Sequence, residues 1–408
     1  MTRALPTWPV FDAEVANRVA QILRSGQVNY WTGKEGRKFE AEFAAFTETK
    51  HCIACTNGSA ALDLCLEALG IGSAYGGTIL DEVIVTPRSF IASAAAIVRA
   101  GARVVFADVD PVSQNITPRS VRPRINDNTR AIICVHLAGW PCDMDGFRKL
   151  TETRGIPLIE DCAQAHGAQF QGRSVGGLGT IAAWSFCQDK IMSTGGEGGA
   201  ISTDDNALAA RIWALKDHGK SKTLLFQKPP PQGEFRYVHD QIGTNARMTE
   251  IQAAIGRHQI SKIKDWTTKR SENAQAIEHA LADFAGPDGP IRLTSFDTSD
   301  GSNHAYYKYY AFLRPENLRL GYSRKALTAA FSEKGIIMQA GICPEIYREA
   351  AFQKLYKGPR LPIAKLLGET SIMLQVHPTL RAEDIDYITT HIRTIFGQST
   401  KLRYSKIA

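Results

Sequence analysis

The sequence predicts an α/β protein, a sheet covered by helices with a smaller α+β unit after it. Three observations predict this. Over the first two-thirds of the chain short apolar runs alternate with amphipathic segments, which is the βαβ pattern. Each strand candidate ends in a loop of polar or small residues. Beyond about residue 268 the segments become shorter and mixed, which divides the chain into a large domain over 1–267, N-terminal segment included, and a small domain over 268–408. At 408 residues, 44% hydrophobic and 22% charged, both can bury a core.

In chain order, strands are expected at Glu82–Thr86, Arg103–Ala107, Ala131–His136, Pro157–Glu160 and Ala182–Phe186. Helices are expected at Ser59–Leu69, Ala92–Ala100 and Met144–Arg154. Lys228–Gly233, with Pro229-Pro230-Pro231, can be neither helix nor central strand and reads as a surface loop. A long helix follows near Thr249–Trp266. Tyr306–Leu313 reads as a Tyr-rich strand whose Tyr306, Tyr307, Tyr309 and Tyr310 alternate on a pleat rather than form a base-stacking platform.

The formal charge is 48 − 41 = +7, spread along the chain. The densest basic stretch, Lys401, Arg403 and Lys406, is too short for a nucleic-acid arm, so a solvated surface and no nucleic-acid partner are expected. A modest positive field can still attract a phosphate-bearing substrate. No secretory leader and no run of roughly 20 apolar residues is visible, which predicts a cytoplasmic protein without membrane insertion. The eight cysteines fit that compartment as reduced, mostly buried residues. Cys52 and Cys55 form a CxxC pair, but no second pair follows at ligand spacing, and His136 and His166 lack a third ligand, so no metal is expected.

Four segments carry chemistry. Thr56-Asn57-Gly58-Ser59-Ala60-Ala61 precedes a helix: either a well-capped N-terminus or a phosphate cradle, where free N–H groups meet an anion and Gly58 allows close approach. Ile159-Glu160-Asp161-Cys162-Ala163-Gln164 ends a strand in an acid. Asp161 can cap the next segment, or pair with a cofactor's pyridinium nitrogen and make its ring an electron sink. Trp184-Ser185-Phe186-Cys187-Gln188-Asp189-Lys190 leads into Gly195-Gly196-Glu197-Gly198-Gly199, which places Lys190 to enter a crevice as a nucleophile and Ser185 to bind phosphate. In Gly243-Thr244-Asn245-Ala246-Arg247, Thr244 or Asn245 reads as a turn or cap, and Asn245 with Arg247 alternatively binds an anion across a subunit boundary.

Together with Asp81-Glu82-Val83-Ile84-Val85-Thr86-Pro87 and Val135-His136-Leu137-Ala138-Gly139-Trp140-Pro141-Cys142-Asp143, these segments resemble the DegT-type sugar aminotransferases. The resemblance covers about residues 25–395. It implies the fold-type-I pyridoxal 5'-phosphate (PLP) transferase architecture, with a mostly parallel seven-stranded sheet in the large domain. It implies that Lys190 holds PLP as a Schiff base and shuttles a proton, and that Asp161 pairs with the pyridine nitrogen. Gln164 lies against the cofactor ring or its 3′-hydroxyl, Phe90 stacks on the other face, and Gly58, Ser59 and Ser185 cradle the phosphate. Asn245 comes from the partner subunit, so a homodimer is expected.

The activity implied by the resemblance is that of an aminotransferase. It takes an amino group from glutamate or glutamine, holds it as pyridoxamine 5'-phosphate, and passes it to a keto-sugar, such as a nucleotide-linked keto-deoxyhexose. Arg88 stands where a neutral residue is more frequent, as a carboxylate or phosphate clamp or as a surface loop arginine. Gly341–Tyr347 replaces the usual segment of the sugar site, with Glu345 as a candidate contact, and His304 is a further one. That departure leaves an acidic eight-carbon ulosonate as the alternative acceptor. A non-catalytic PLP-binding regulator is the rival from another class, and sugar dehydration is disfavoured because family dehydratases replace the anchoring lysine with histidine.

Overall fold

The computed structural model describes residues 3–228 and 230–400. The basic C-terminal tail and Pro229 lie outside them. The chain begins with α1 (Ala13–Ser25), α2 (Glu35–Phe46), β1 (His51–Cys55), α3 (Gly58–Ala68), β2 (Glu82–Val85), α4 (Ala92–Arg99) and β3 (Arg103–Phe106). One-turn α5 (Pro118–Val121) leads to β4 (Thr129–Val135), α6 (Met144–Glu152), β5 (Leu158–Asp161), the hairpin β6 (Gln169–Phe170) and β7 (Arg173–Ser174), and β8 (Ile181–Ser185). Then come β9 (Gly199–Thr203), α7 (Asn206–Leu215), α8 (Lys222–Phe226), α9 (Glu250–Ile260) and α10 (Ile263–Ala282). The last part holds β10 (Ile291–Arg292), β11 (Tyr309–Leu313), α11 (Arg324–Ser332), β12 (Met338–Gln339), α12 (Pro362–Thr370), β13 (Ser371–Leu374) and α13 (Ala382–Ser399).

The main sheet has seven strands in the order β1-β9-β8-β5-β4-β2-β3, and only β9 runs against the rest. Its strands are buried apolar runs such as Val83-Ile84-Val85 and Ala131-Ile132-Ile133, as a sheet covered on both faces requires. A four-stranded antiparallel sheet, β10-β11-β13-β12, packs with α11 and α13 around a second core that includes Leu327, Phe331 and Phe396.

Three sequence expectations need correction. The long helix at Thr249–Trp266 is two helices: α9 ends at Ile260 and α10 restarts at Ile263, with Ser261 Oγ bonded back to the His258 carbonyl at 2.9 Å. The strand expected from Tyr306 begins at Tyr309, because Tyr306 takes φ 44°. The N-terminal segment touches both units: Asp12, the cap of α1, bonds His258 of α9 at 2.9 Å, while the residues before it reach α13. Arg3 pairs with Asp384 of α13, and Trp8 packs edge-on to Trp266 at 4.9 Å between ring centroids. A cut at residue 267 also falls inside α10, whose Ile263 joins the core beside the main sheet while Ala274, Ile277 and Leu281 join the second core.

All eight cysteines are free. Among the described residues no helix is long and apolar enough to cross a membrane.

Candidate active site

The carboxyl ends of the parallel strands gather the predicted site. Asn57 caps α3, its side chain accepting from Ala60 N at 2.9 Å, so the next backbone N–H groups are left free at the positive end of an eleven-residue helix. Gly58 opens that helix against β8. A Cβ built there would lie 2.5 Å from Ser185 Cβ, so glycine alone lets the helix end and the Ser185 hydroxyl approach one another. Ser59 is exposed beside it.

Asp161 ends β5 and is 4% exposed. Ser93 Oγ donates to its Oδ2 at 2.7 Å and Ala163 N to its Oδ1 at 3.1 Å. Among the described residues no basic side chain forms an ion pair with it. A buried carboxylate without a cation is costly unless a cationic group completes it, and a protonated pyridine nitrogen is such a group. Gln164, also buried, accepts from Ala138 N at 2.8 Å. Phe90 is 59% exposed on the loop before α4, next to Ser89, whose hydroxyl meets that of Ser93 at 3.2 Å.

Lys190 follows β8 in a turn and is half-buried. Its carbonyl accepts from the Trp8 indole at 2.7 Å, and its Nζ lies 5.2 Å from the centre of the Tyr307 ring. The Tyr307 hydroxyl donates to Asp189, and Tyr307 N to the Ala138 carbonyl at 2.8 Å. Ala138, at φ 57°, thus ties Gln164 to the tyrosine that faces the lysine. Ser93, Tyr307 and Trp8 escape sequence reasoning because their partners lie far along the chain; only the Ser89/Ser93 spacing of four hints at a shared helical face.

A free helix N-terminus, a close-approach glycine, two hydroxyls, a buried carboxylate without a cation and a lysine that follows the adjacent strand fit a phosphate-bearing pyridine aldehyde. Asn245 is exposed on a loop whose neighbour Ala246 accepts from Thr56 N at 2.9 Å, at the edge of the cradle.

The candidate substrate residues fare differently. Arg88 is neither on the surface nor in an ion pair. It is fully buried, its Nε and Nη2 donate to Gln114 Oε1 at 3.0 and 2.8 Å, and its Nη1 has no partner. Arg247 is claimed by Asp217, which also holds Lys220 at 2.9 Å, so it is no free anion clamp within this chain. Glu345 is bound by Arg360 at 2.5 and 2.9 Å and by the Tyr347 hydroxyl at 2.5 Å. Burial opposes its charge, but Arg360 and Tyr347 prevail and hold the carboxyl below its usual range. His304 is buried, stacked on Tyr306 at 3.9 Å, and its Nδ1 accepts from Tyr306 N at 2.8 Å. Within this chain both are held by internal partners.

His136 and His166 are interior residues. His136 Nε2 meets Glu160 Oε2 at 3.0 Å and its Nδ1 accepts from Cys142 N at 2.9 Å. These two bonds occupy both ring nitrogens, although His136, Glu160 and Cys162 stand close enough to suggest a metal group.

A family model described as the DegT/DnrJ/EryC1/StrS aminotransferase family matches residues 9–393. The X-ray structure of an aminotransferase from Psychrobacter cryohalolentis is similar at TM-score 0.92 and 47% identity, over 97% of this chain and 99% of that one. The "Pleiotropic regulatory protein" of Geobacillus stearothermophilus is 33% identical over 384 residues, 94% of each chain. The dTDP-3-amino-3,4,6-trideoxy-alpha-D-glucose transaminase of Streptomyces venezuelae is 36% identical over 285 residues, 70% of each.

Proposed function

The chain belongs to the DegT/DnrJ/EryC1/StrS aminotransferase family, and from that premise we propose a PLP-dependent transaminase that moves an amino group from glutamate or glutamine to a keto-sugar. The observation that carries this reading is the pairing of a cation-free buried carboxylate, Asp161, with Lys190 at the same end of the sheet. Bound PLP supplies an aldehyde for amines and a ring that stores electrons when its nitrogen is protonated. Asp161 holds that proton. The α3 N-terminus, Ser59 and Ser185 would hold the phosphate, and Gln164 and Phe90 would face the ring. Lys190 Nζ would be the anchor and the base that carries the proton.

A nucleotide-linked keto-deoxyhexose is the proposed acceptor, in keeping with the activity named for the Streptomyces relative. An acidic acceptor such as an eight-carbon ulosonate is the second reading, and Arg88 favours it: a buried guanidinium with a free Nη1, bonded to the neutral Gln114 and set 5.7 Å from the centre of the Tyr310 ring, suits a carboxylate. A homodimer is supported by the exposed Phe235, Tyr237 and Ile242 in the segment that leads to Asn245, apolar surface of a kind that subunit contacts cover. The Geobacillus relative's name keeps a regulatory role in view, and turnover of an amino donor distinguishes the two.

The deciding experiment is the visible spectrum of the purified protein with PLP, beside Lys190→Ala. The reading expects a band that glutamate or glutamine bleaches and that the variant lacks. A variant that keeps the band removes Lys190 from the reaction.

A further inference from the structure

Behind the Lys190 turn lies a cavity of about 280 Å³, bounded by the N-terminal segment at Leu5–Trp8, by α10 and by the end of β13. Arg270 of α10 lines it and is 1% exposed. Its Nη1 donates to the Tyr306 and Tyr307 carbonyls at 3.4 and 3.2 Å, while Nε and Nη2 have no partner. The guanidinium carbon lies 5.1 Å from the centre of the Trp8 ring. Lys308, also in the lining, has its Nζ 3.8 Å from Asp189, and that carboxylate already accepts from the Tyr307 hydroxyl.

The lining therefore carries two cations against one carboxylate. Two further titratable groups line the cavity and do not change the sum: burial first, then Asp189, pushes the Tyr307 hydroxyl well up and keeps it neutral, and His377 is neutral too. Burial first, then the nearby Arg270 and Lys308, hold it neutral with its pKa near 4. Burial likewise pulls Arg270 down to about 9. A guanidinium out of water with two idle nitrogens is an unfavourable state that a bound carboxylate relieves, because its two oxygens match the fork of donors.

We propose that this cavity binds a small carboxylate, held by Arg270 and Lys308 beside the Lys190 turn. Two acids share that chemistry: the amino donor, if the cavity opens onto the reacting lysine, and a separate organic acid that acts from behind it. The first rests on the aminotransferase reading; the second does not.

The probe is succinate, titrated calorimetrically into the PLP-loaded protein, with inorganic phosphate as the comparison anion. Saturable succinate binding is expected, weakened at least fivefold in Lys308→Gln, retained in Lys308→Arg and lost in Arg270→Gln. The Lys308 pair keeps the test sound if Arg270→Gln fails to fold. Succinate that competes with glutamate for bleaching of the visible band identifies the donor's carboxylate. Succinate that binds undiminished at saturating glutamate identifies the separate acid. No saturable binding, binding unchanged in Lys308→Gln, or a response to phosphate alone overturns the proposal. If succinate binds but no visible band forms in any condition, the cavity stands and the aminotransferase reading falls.

Discussion

Gly58→Ala tests whether the approach of α3 to β8 builds the phosphate cradle. The new Cβ would sit 2.5 Å from Ser185 Cβ and 3.2 Å from Ser185 Cα, where ordinary contact begins at 3.4 Å. About 0.9 Å must be found, and one obstacle is backbone in a fully buried strand. Overpacking of this size costs about 1–3 kcal/mol. With an unfolding entropy of about 2.1 cal/mol/K per residue over the whole chain, that lowers Tm by about 1–4 °C. If the helix end retreats instead, the same energy appears as a loss of PLP affinity of about 5- to 150-fold. Thermal unfolding of the apoprotein and PLP titration followed at the visible band measure the two together. Ser185→Gly in the same chain removes the obstructing Cβ and should restore Tm, while affinity recovers only in part because the hydroxyl is gone. A Gly58→Ala protein with wild-type Tm and wild-type PLP affinity would refute the steric argument and the cradle with it.

Asp161→Asn should keep the fold, since Ser93 can still donate to the side-chain oxygen, and should slow glutamate-driven bleaching about 10²- to 10⁴-fold. That follows from the ~3–5 kcal/mol lost when one partner of a buried charge pair is removed; stopped-flow rates within a factor of three of wild type would contradict the pyridinium assignment. Acid should destabilise the protein from about pH 6.5 downward. Burial holds His166 and His304 near 3 and His377 near 4, so the unfolded chain binds their protons first, and stability present above pH 6.5 is lost as pH falls. His304→Phe should shrink the difference in urea-unfolding free energy between pH 7 and pH 5 by about 2 kcal/mol; an unchanged difference would mean that His304 is already protonated in the fold.

Much of the main sheet is legible in the sequence, because strands buried on both faces are written as uninterrupted apolar runs such as Val83-Ile84-Val85. β9 is not, since Gly199-Ala200-Ile201-Ser202-Thr203 follows a glycine cluster and reads as loop. The break at Ser261-Lys262 carries no proline or glycine to announce it. Of the proposed site, Lys190, Asp161 and Gln164 can be singled out because each stands in a local segment with its own chemistry. Arg247, Glu345 and His304 are harder to read for the opposite reason. Their charge or ring suggests an outside partner, and only the folded chain shows Asp217, Arg360 and Tyr306 already in place.

The helix α10 acts as a girder. Its twenty residues make a rod of about 30 Å, rooted at Ile263 in one core and at Ile277 and Leu281 in the other, with no glycine or proline along it to serve as a joint. A swing of the C-terminal sheet over the crevice would have to bend that rod or tear one root from its packing. The two cores should therefore travel as one rigid body.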